Sequence, residues 1–241
     1  MVRRTLEDWQ KHFQVLYGRR NRIFLPDRRS RIDFLNLAIG DLQDAIRKKL
    51  TSSAIEMALA RVVARVFCIA ESFWSASVTK GMARKYGNVC PYCQSLPCLC
   101  SERRRSPVIY TENHQTVSAC SVWTLSNWCR HLKALYNSQN KKKDLEYLLT
   151  RLFKEIAELQ SLEVTKDHLS SLKTIEEEFE LELADTLAWT IALSNLLKKD
   201  LEKCVFDRFG ENCWNCHKKP CECTAFSHFQ VDWLKWEKEN K

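Results

Sequence analysis

The chain has 241 residues, 45% hydrophobic and 28% charged, with a formal net charge of +8. These proportions suit one large soluble domain or two small ones. Glycine and proline number five each, too few turn-formers for an all-β fold or a glycine-rich phosphate loop. No GxxxxGKS/T, GxGxxG, GxSxG or HExxH motif occurs, so the common signatures of nucleotide-binding loops, hydrolase elbows and zinc proteases are missing. No apolar run follows the basic start "MVRRTLEDWQ", and none approaches the roughly eighteen residues of a membrane helix. The expected setting is the cytoplasm, without a membrane partner. There the 12 cysteines stay reduced and their clusters signal metal. Charge is uneven: residues 1–115 carry 20 Lys and Arg against 10 Asp and Glu, whereas residues 116–241 carry 18 against 20. The two halves should therefore face different partners.

In chain order, Leu6, Trp9, Phe13 and Leu16 recur at helical spacing behind Thr5, an N-cap residue, with Asp8 in the first turn. Helices are expected next over 31–49 and 54–86. Cys90, Cys93, Cys98 and Cys100 follow in C-x2-C-x4-C-x-C spacing. The stretch 101–119 is polar and lacks helical periodicity, so it reads as a linker. Leu125, Trp128, Leu132 and Leu135 then restart the helical pattern behind Thr124, with Asn127 in the first turn. Further helices are expected over 144–160 and, with a break, 172–208. Cys213, Cys216, Cys221 and Cys223 repeat the cysteine spacing. A short amphipathic tail holds Phe229, Trp233 and Trp236, which could dock a partner or cap the core.

The chain thus contains itself twice. "TLEDWQKHFQVLYGRRN" (5–21) and "TLSNWCRHLKALYNSQN" (124–140) align at an offset of 119, with Thr, Leu, Trp, His, Leu, Tyr and Asn identical. "RKYGNVCPYC" parallels "DRFGENCWNC" at an offset of 123. That period is too long for a solenoid. The expected architecture is all-α, a tandem duplicated helical bundle: a first copy over 1–100, a linker over 101–119, a second copy over 120–224 and a tail over 225–241.

Glu155 and Glu158 lie three apart on one helix, as do Glu182 and Asp185 on the next, so each pair shares a face. Such pairs are common on solvated helices. Here, however, the helix from Leu181 to Leu197 is apolar nearly all round, which marks it as buried. Glu155 and Glu158 border the apolar stripe of Leu148, Leu152, Ile156 and Leu159. Buried carboxylates need a partner, and four around one point suit a hard cation, Mg²⁺ or Mn²⁺. ExxE followed by ExxD, here "KEIAEL" then "ELADTLAW", resembles the signature of the MazG-like all-α NTP pyrophosphatase superfamily. The resemblance covers most of 120–210 and, more weakly, 1–86. One departure is Lys154, where the fuller pattern often has a further Glu.

The resemblance implies a pseudo-dimer of MazG-like domains that cleaves (d)NTP to (d)NMP and pyrophosphate. Glu155, Glu158, Glu182 and Asp185 would hold the metal, and one would take the proton of the attacking water. Lys203 and Arg208 are weaker candidates for phosphate contacts, set against plain solvation. Trp128, His131 and Tyr136 could stack on a base. Their counterparts Trp9, His12 and Tyr17 persist in the first copy, which favours a core role.

In that first copy Asp41 and Asp44 take the place of the first pair, Val62 stands where Asp185 stands, and no second pair occurs. A single active site per chain is expected, with the two aspartates on a solvated face. The two cysteine clusters are each expected to hold structural zinc, two ions per chain, and to pin the last helix of their own copy against the bundle. Iron–sulfur ligation and disulfides are the rival readings of these clusters. Cys68, Cys120, Cys129 and Cys204 are read as core or incidental. The functional rivals are a nucleotide sensor without turnover and a zinc-containing scaffold for protein or nucleic acid. The basic runs at 47–49, 103–105 and 141–143 admit nucleic acid as a partner without favouring it, and a homo-oligomer is also open.

Overall fold

A computed structural model describes residues 3–71, 76–100, 114–165 and 172–223. Among them it contains nine helices: α1 (Leu6–Phe24), α2 (Arg28–Arg47), α3 (Ser52–Ala70), α4 (Val78–Tyr86), α5 (His114–Ser121), α6 (Leu125–Asn140), α7 (Leu145–Thr165), α8 (Leu172–Leu196) and α9 (Leu201–Phe209). The described residues are all-helical, and no helix among them is long and apolar enough to cross a membrane. The tail residues Phe229, Trp233 and Trp236 and the basic run 103–105 lie outside the described residues.

The local chemistry accounts for the element ends. Thr5 and Thr124 each complete a reciprocal capping box, with Asp8 and Asn127 respectively. The expected break in 172–208 falls at Lys198, whose φ of 57° lies in the left-handed region. Lys199 N–H bonds back to Ser194 O at 2.8 Å, closing α8, and Asp200 then caps α9. The expected 54–86 helix is likewise two helices, α3 and α4. One expectation is corrected: part of the 101–119 linker is helical, as α5 begins at His114. Its apolar residues, Val117 and buried Cys120, are too few to register as a period, yet they pack on the core beside α4.

Four long helices form the centre. α2 packs on α3 and α7 on α8, while α2 also meets α7 and α3 meets α8. The result is a four-helix ring with two helices from each half. α1 lies on α3 and α6 on α8, burying Leu6, Trp9, Phe13 and Leu16 in one case and Leu125, Trp128, Leu132 and Leu135 in the other.

The short helices do not stay with their own half. α4 packs on α8, and α9 packs on α3. The contacts are reciprocal. His12 Nε2 reaches Phe209 O at 2.5 Å, and His131 Nε2 reaches Tyr86 O at 2.7 Å. Cys221 N–H donates to Leu16 O and Cys98 N–H to Leu135 O, both at 2.8 Å. The N-caps Thr5 and Thr124 meet in an isolated antiparallel bridge. Burial pushes His12 down to about 4 and also lowers His131, so both rings are neutral donors to a carbonyl of the other half. The persistence of this histidine in both halves is thereby explained: it ties them together. Each cysteine loop follows the last helix of its half and docks on the first helix of the other half.

Candidate functional site

The acidic residues converge. Oxygens of Glu155, Glu158 and Glu182 lie within 4.8 Å of one another. α7 brings the first two there because they border its buried stripe of Leu148, Leu152, Ile156 and Leu159, with Glu155 itself buried. α8 contributes Glu182 from a helix whose Thr186, Thr190 and Ser194 are buried and return their hydroxyls to its own carbonyls at 2.8–2.9 Å. The Glu155 side chain is 1% exposed. Burial, reinforced by Glu158 and Asp185, raises its carboxyl to about 8. Burial with Asp185 nearby raises Glu182 to about 7. For Glu158 burial is outweighed by bonds from Glu155 and Lys154, and its carboxyl is lowered. Glu182 Oε2 is buried without a hydrogen-bond partner, so the set holds an unmet demand for a positive ligand.

Asp185 stands slightly apart from this trio. Its oxygens accept from Lys85 Nζ and from Tyr86 Oη, both at 2.5 Å. Both donors belong to α4, so the first half reaches into the acidic site of the second. Two close approaches seat α4. Ser77 N–H donates to Glu180 Oε1 at 2.9 Å, and a Cβ on Gly81 would lie 2.2 Å from Glu180 O, so glycine permits this helix contact.

The carboxylates line a cavity of about 670 Å³. Four cationic side chains also line it, Lys85, Lys143, Arg151 and Lys154, matching its four carboxylates in number. Arg151 reaches Glu155 at 3.5 Å, Lys154 pairs with Glu158, and Lys85 takes Asp185. An aromatic wall runs beside them. Lys143 lies 4.7 Å over Tyr147, Tyr147 meets the Trp189 ring edge-on, and Arg151 lies 5.2 Å over Trp189. Tyr92, Tyr136 and part of the Cys90–Cys100 loop close the other side.

The remaining sequence candidates divide. Tyr136 lines the cavity. Trp128 is fully buried against Trp123 and His131, and His131 is the inter-half tie described above. Neither Lys203 nor Arg208 lines the cavity. Lys203 pairs with Asp207 on an exposed face, and Arg208 donates to Ser53 Oγ at 3.2 Å. Lys85 holds the place expected of Arg208. It precedes Tyr86 as Arg208 precedes Phe209, at the 123-residue offset, but the exchange of short helices delivers it across the molecule. In the first half Asp44 is exposed with Lys48, as expected. Asp41 is not simply solvated, because it accepts from buried Arg61 Nη1 at 2.5 Å.

Each cysteine cluster brings four sulfurs within 4.8 Å of one another. Sulfur pairs lie at 3.7 Å (Cys90–Cys100) and 3.9 Å (Cys93–Cys98) in one loop, and at 3.4 Å (Cys213–Cys221), 3.7 Å (Cys213–Cys223) and 3.8 Å (Cys216–Cys221) in the other. Zinc–sulfur bonds of about 2.3 Å in a tetrahedron put sulfurs about 3.8 Å apart, whereas a disulfide needs about 2.05 Å. All 12 cysteines are free thiols. The two clusters could therefore hold zinc, each within its own loop.

No protein-family model matches the chain, and neither a curated protein nor a solved structure matches it.

Proposed function

We propose that the chain is a Mg²⁺- or Mn²⁺-dependent nucleoside triphosphate pyrophosphohydrolase that converts (d)NTP to (d)NMP and pyrophosphate, with one active site per chain. One observation carries this reading: Glu155, Glu158 and Glu182 converge in the wall of a cavity of about 670 Å³ that cationic side chains also line. The cavity falls in the roughly 300–1,000 Å³ range of small-molecule sites. An all-oxygen set with an orphaned buried carboxylate oxygen fits a hard divalent cation. Once bound, such a cation supplies charge for the phosphates and lowers the pKa of an attacking water.

The chain's own residues divide the remaining work. Glu155, Glu158, Glu182 and Asp185 would hold the metal, and one of them would take the proton of the water. Four cations and four carboxylates line the cavity, and with Glu155 raised to about 8 and Glu182 to about 7 the carboxylates are not all ionised near neutral pH. A bound divalent cation would replace those protons and add positive charge to meet the roughly four negative charges of a triphosphate. With a metal on the carboxylates, Lys85 would be free to turn from Asp185 to the phosphates, and Arg151, one helical turn before Glu155, would meet them as well. Trp189 and Tyr147 form the apolar wall. The same proposal takes the halves as copies of one MazG-like domain fused into a pseudo-dimer. The reciprocal ties of His12 and His131, and of Cys221 and Cys98, support it. Zinc in both loops and a cytoplasmic setting complete the reading.

The test is pyrophosphate release from a panel of NTPs and dNTPs with Mg²⁺, comparing wild type with Asp185→Ala. Metal-dependent release that drops at least about 10³-fold in the variant, some 4 kcal/mol of transition-state stabilisation, is expected. No release from any nucleotide by the folded, zinc-loaded protein would overturn hydrolysis. Nucleotide binding without release would then assign the cavity to a sensor, an alternative favoured by the hold of Lys85 and Tyr86 on Asp185.

A further inference from the structure

Six residues of α8 line the large cavity: Glu182, Asp185, Ala188, Trp189, Ala192 and Asn195. Steps of three and four residues keep them on one helical face. Along the chain this face reads as two carboxylates, then two alanines beside an indole, then an amide. Asn195 stands ten residues after Asp185, about 15 Å along the helix axis. An extended nucleotide whose α-phosphate sits on metal at the carboxylates reaches about as far with the outer edge of its base. Between those ends, Ala188 and Ala192 leave room for a flat ring, and Trp189 and Leu132 add aromatic and apolar surface.

The amide that ends this face has its orientation set. Asn195 Nδ2 donates to Cys129 O on α6 at 3.2 Å. A carbonyl oxygen only accepts, so the amide oxygen must turn away from it. Among the described residues no donor meets Asn195 Oδ1. The backbone is held as well, since Lys198 N–H bonds to Asn195 O at 3.2 Å where α8 closes. We propose that Asn195 reads the base, and that the cavity takes nucleotides whose base carries an exocyclic amino group, cytosine or adenine, over their keto counterparts. This rests on the reading of the cavity as a nucleotide site. An amino group donates to the fixed oxygen. A keto oxygen in its place sets two acceptors against each other and leaves both without a donor.

The test is titration calorimetry of the zinc-loaded full chain, in Mg²⁺, with CMP, UMP, AMP and IMP. Each pair differs by the amino-to-keto exchange on its base, and monophosphates bind without turnover. CMP should bind at least about tenfold tighter than UMP, or AMP than IMP. A preference within one pair alone names the base. In Asn195→Ala the ratio should fall to within about twofold. Ala192→Leu fills the space for the ring. It should weaken the preferred monophosphate at least about tenfold and leave binding of inorganic tripolyphosphate within about twofold. Should either variant not fold, the wild-type ratios still decide, because they need no substitution. Four results overturn the proposal: equal binding within both pairs, a preference for the keto bases, a ratio unchanged in folded Asn195→Ala, or tripolyphosphate weakened as much as the nucleotide in Ala192→Leu. The last would put phosphates, not a base, beside Asn195. Pyrophosphate release from CTP, UTP, ATP and ITP keeps the two readings apart. Release at equal kcat/KM without a binding preference retains hydrolysis and removes the role of Asn195. A binding preference for amino bases without release from any nucleotide does the reverse.

Discussion

The two halves share a skeleton and differ in what it encloses. In the second half the cavity is about 670 Å³ and faced by four carboxylates. In the first it is about 30 Å³ and faced by three arginines. The ties between the halves are nevertheless the same on both sides: a histidine to the last carbonyl of the opposite short helix, and a cysteine-loop N–H to a carbonyl of the opposite first helix. His12 and His131, which join the halves, stand at matching positions, as do Tyr17 and Tyr136 in the two cavities. Asp185 of the large cavity has no such match, because buried Val62 stands at its repeat position.

The largest effects should come from the cysteine loops, because each closes the opposite half. Structural zinc contributes about 10 kcal/mol or more to folding in small peptides, which rivals the whole stability of an ordinary domain. Metal analysis should give two zinc ions per chain, and Cys98→Ser or Cys221→Ser should leave one and lower the melting temperature by more than 10 °C. The comparison sharpens in activity. The Cys90–Cys100 loop lines the large cavity and the Cys213–Cys223 loop does not. At a temperature where both variants are folded, Cys98→Ser should lose more pyrophosphate release than Cys221→Ser. Equal losses would break the distinction between the two loops.

A smaller effect separates two glycines. A Cβ on Gly81 meets Glu180 O at 2.2 Å, whereas one on Gly40 meets nothing within 4 Å. Gly81→Ala should destabilise by about 1–3 kcal/mol through the displacement of α4 from α8, and activity should fall with it because Lys85 and Tyr86 ride on that helix. Gly40→Ala, inside α2, should stabilise by about 0.5–1 kcal/mol and leave activity alone. Urea melts of the two variants, read beside their turnover, test both statements.

Most of the helices were legible from period and capping. Thr5, Thr124 and the Leu/Trp stripes announce α1 and α6, and the break before α9 is visible as a change of pattern. The convergence of Glu155, Glu158 and Glu182 follows from spacing and from the apolar surroundings of α8. The exchange of α4 and α9 was not legible. A nine-residue helix carries no mark of which neighbour it will pack on, so the sequence points to Arg208 where the fold delivers Lys85. α5 was also hidden, because eight residues with two apolar contacts make no period. The arginines at 20, 61 and 65 lie on three turns of two helices, and no spacing rule joins them before those helices are packed.

The finest test of the difference between the halves is titration of Glu182. Leu59 stands at its repeat position and is fully buried, so the first half has no ionisable group there. In the fold, burial and then Asp185 raise Glu182 from its ordinary 4.5 to about 7. Between those values the folded protein holds a proton that the unfolded chain has released, so the contribution of this group to stability is complete below pH 4.5. It declines as pH rises toward 7 and is flat above. An amide does not ionise. Glu182→Gln should therefore nearly match wild type at pH 4.5 without metal and exceed it by roughly 3 kcal/mol at pH 8, where the buried charge is fully formed. Adding Mg²⁺ at pH 8 should narrow or reverse the gap, since the ion stabilises only the carboxylate form. Chemical melts across pH 4.5–8.5, with EDTA and with Mg²⁺, check both signs. Parallel curves in EDTA would mean that Glu182 is solvated, and the case for a metal at this site would fall with it.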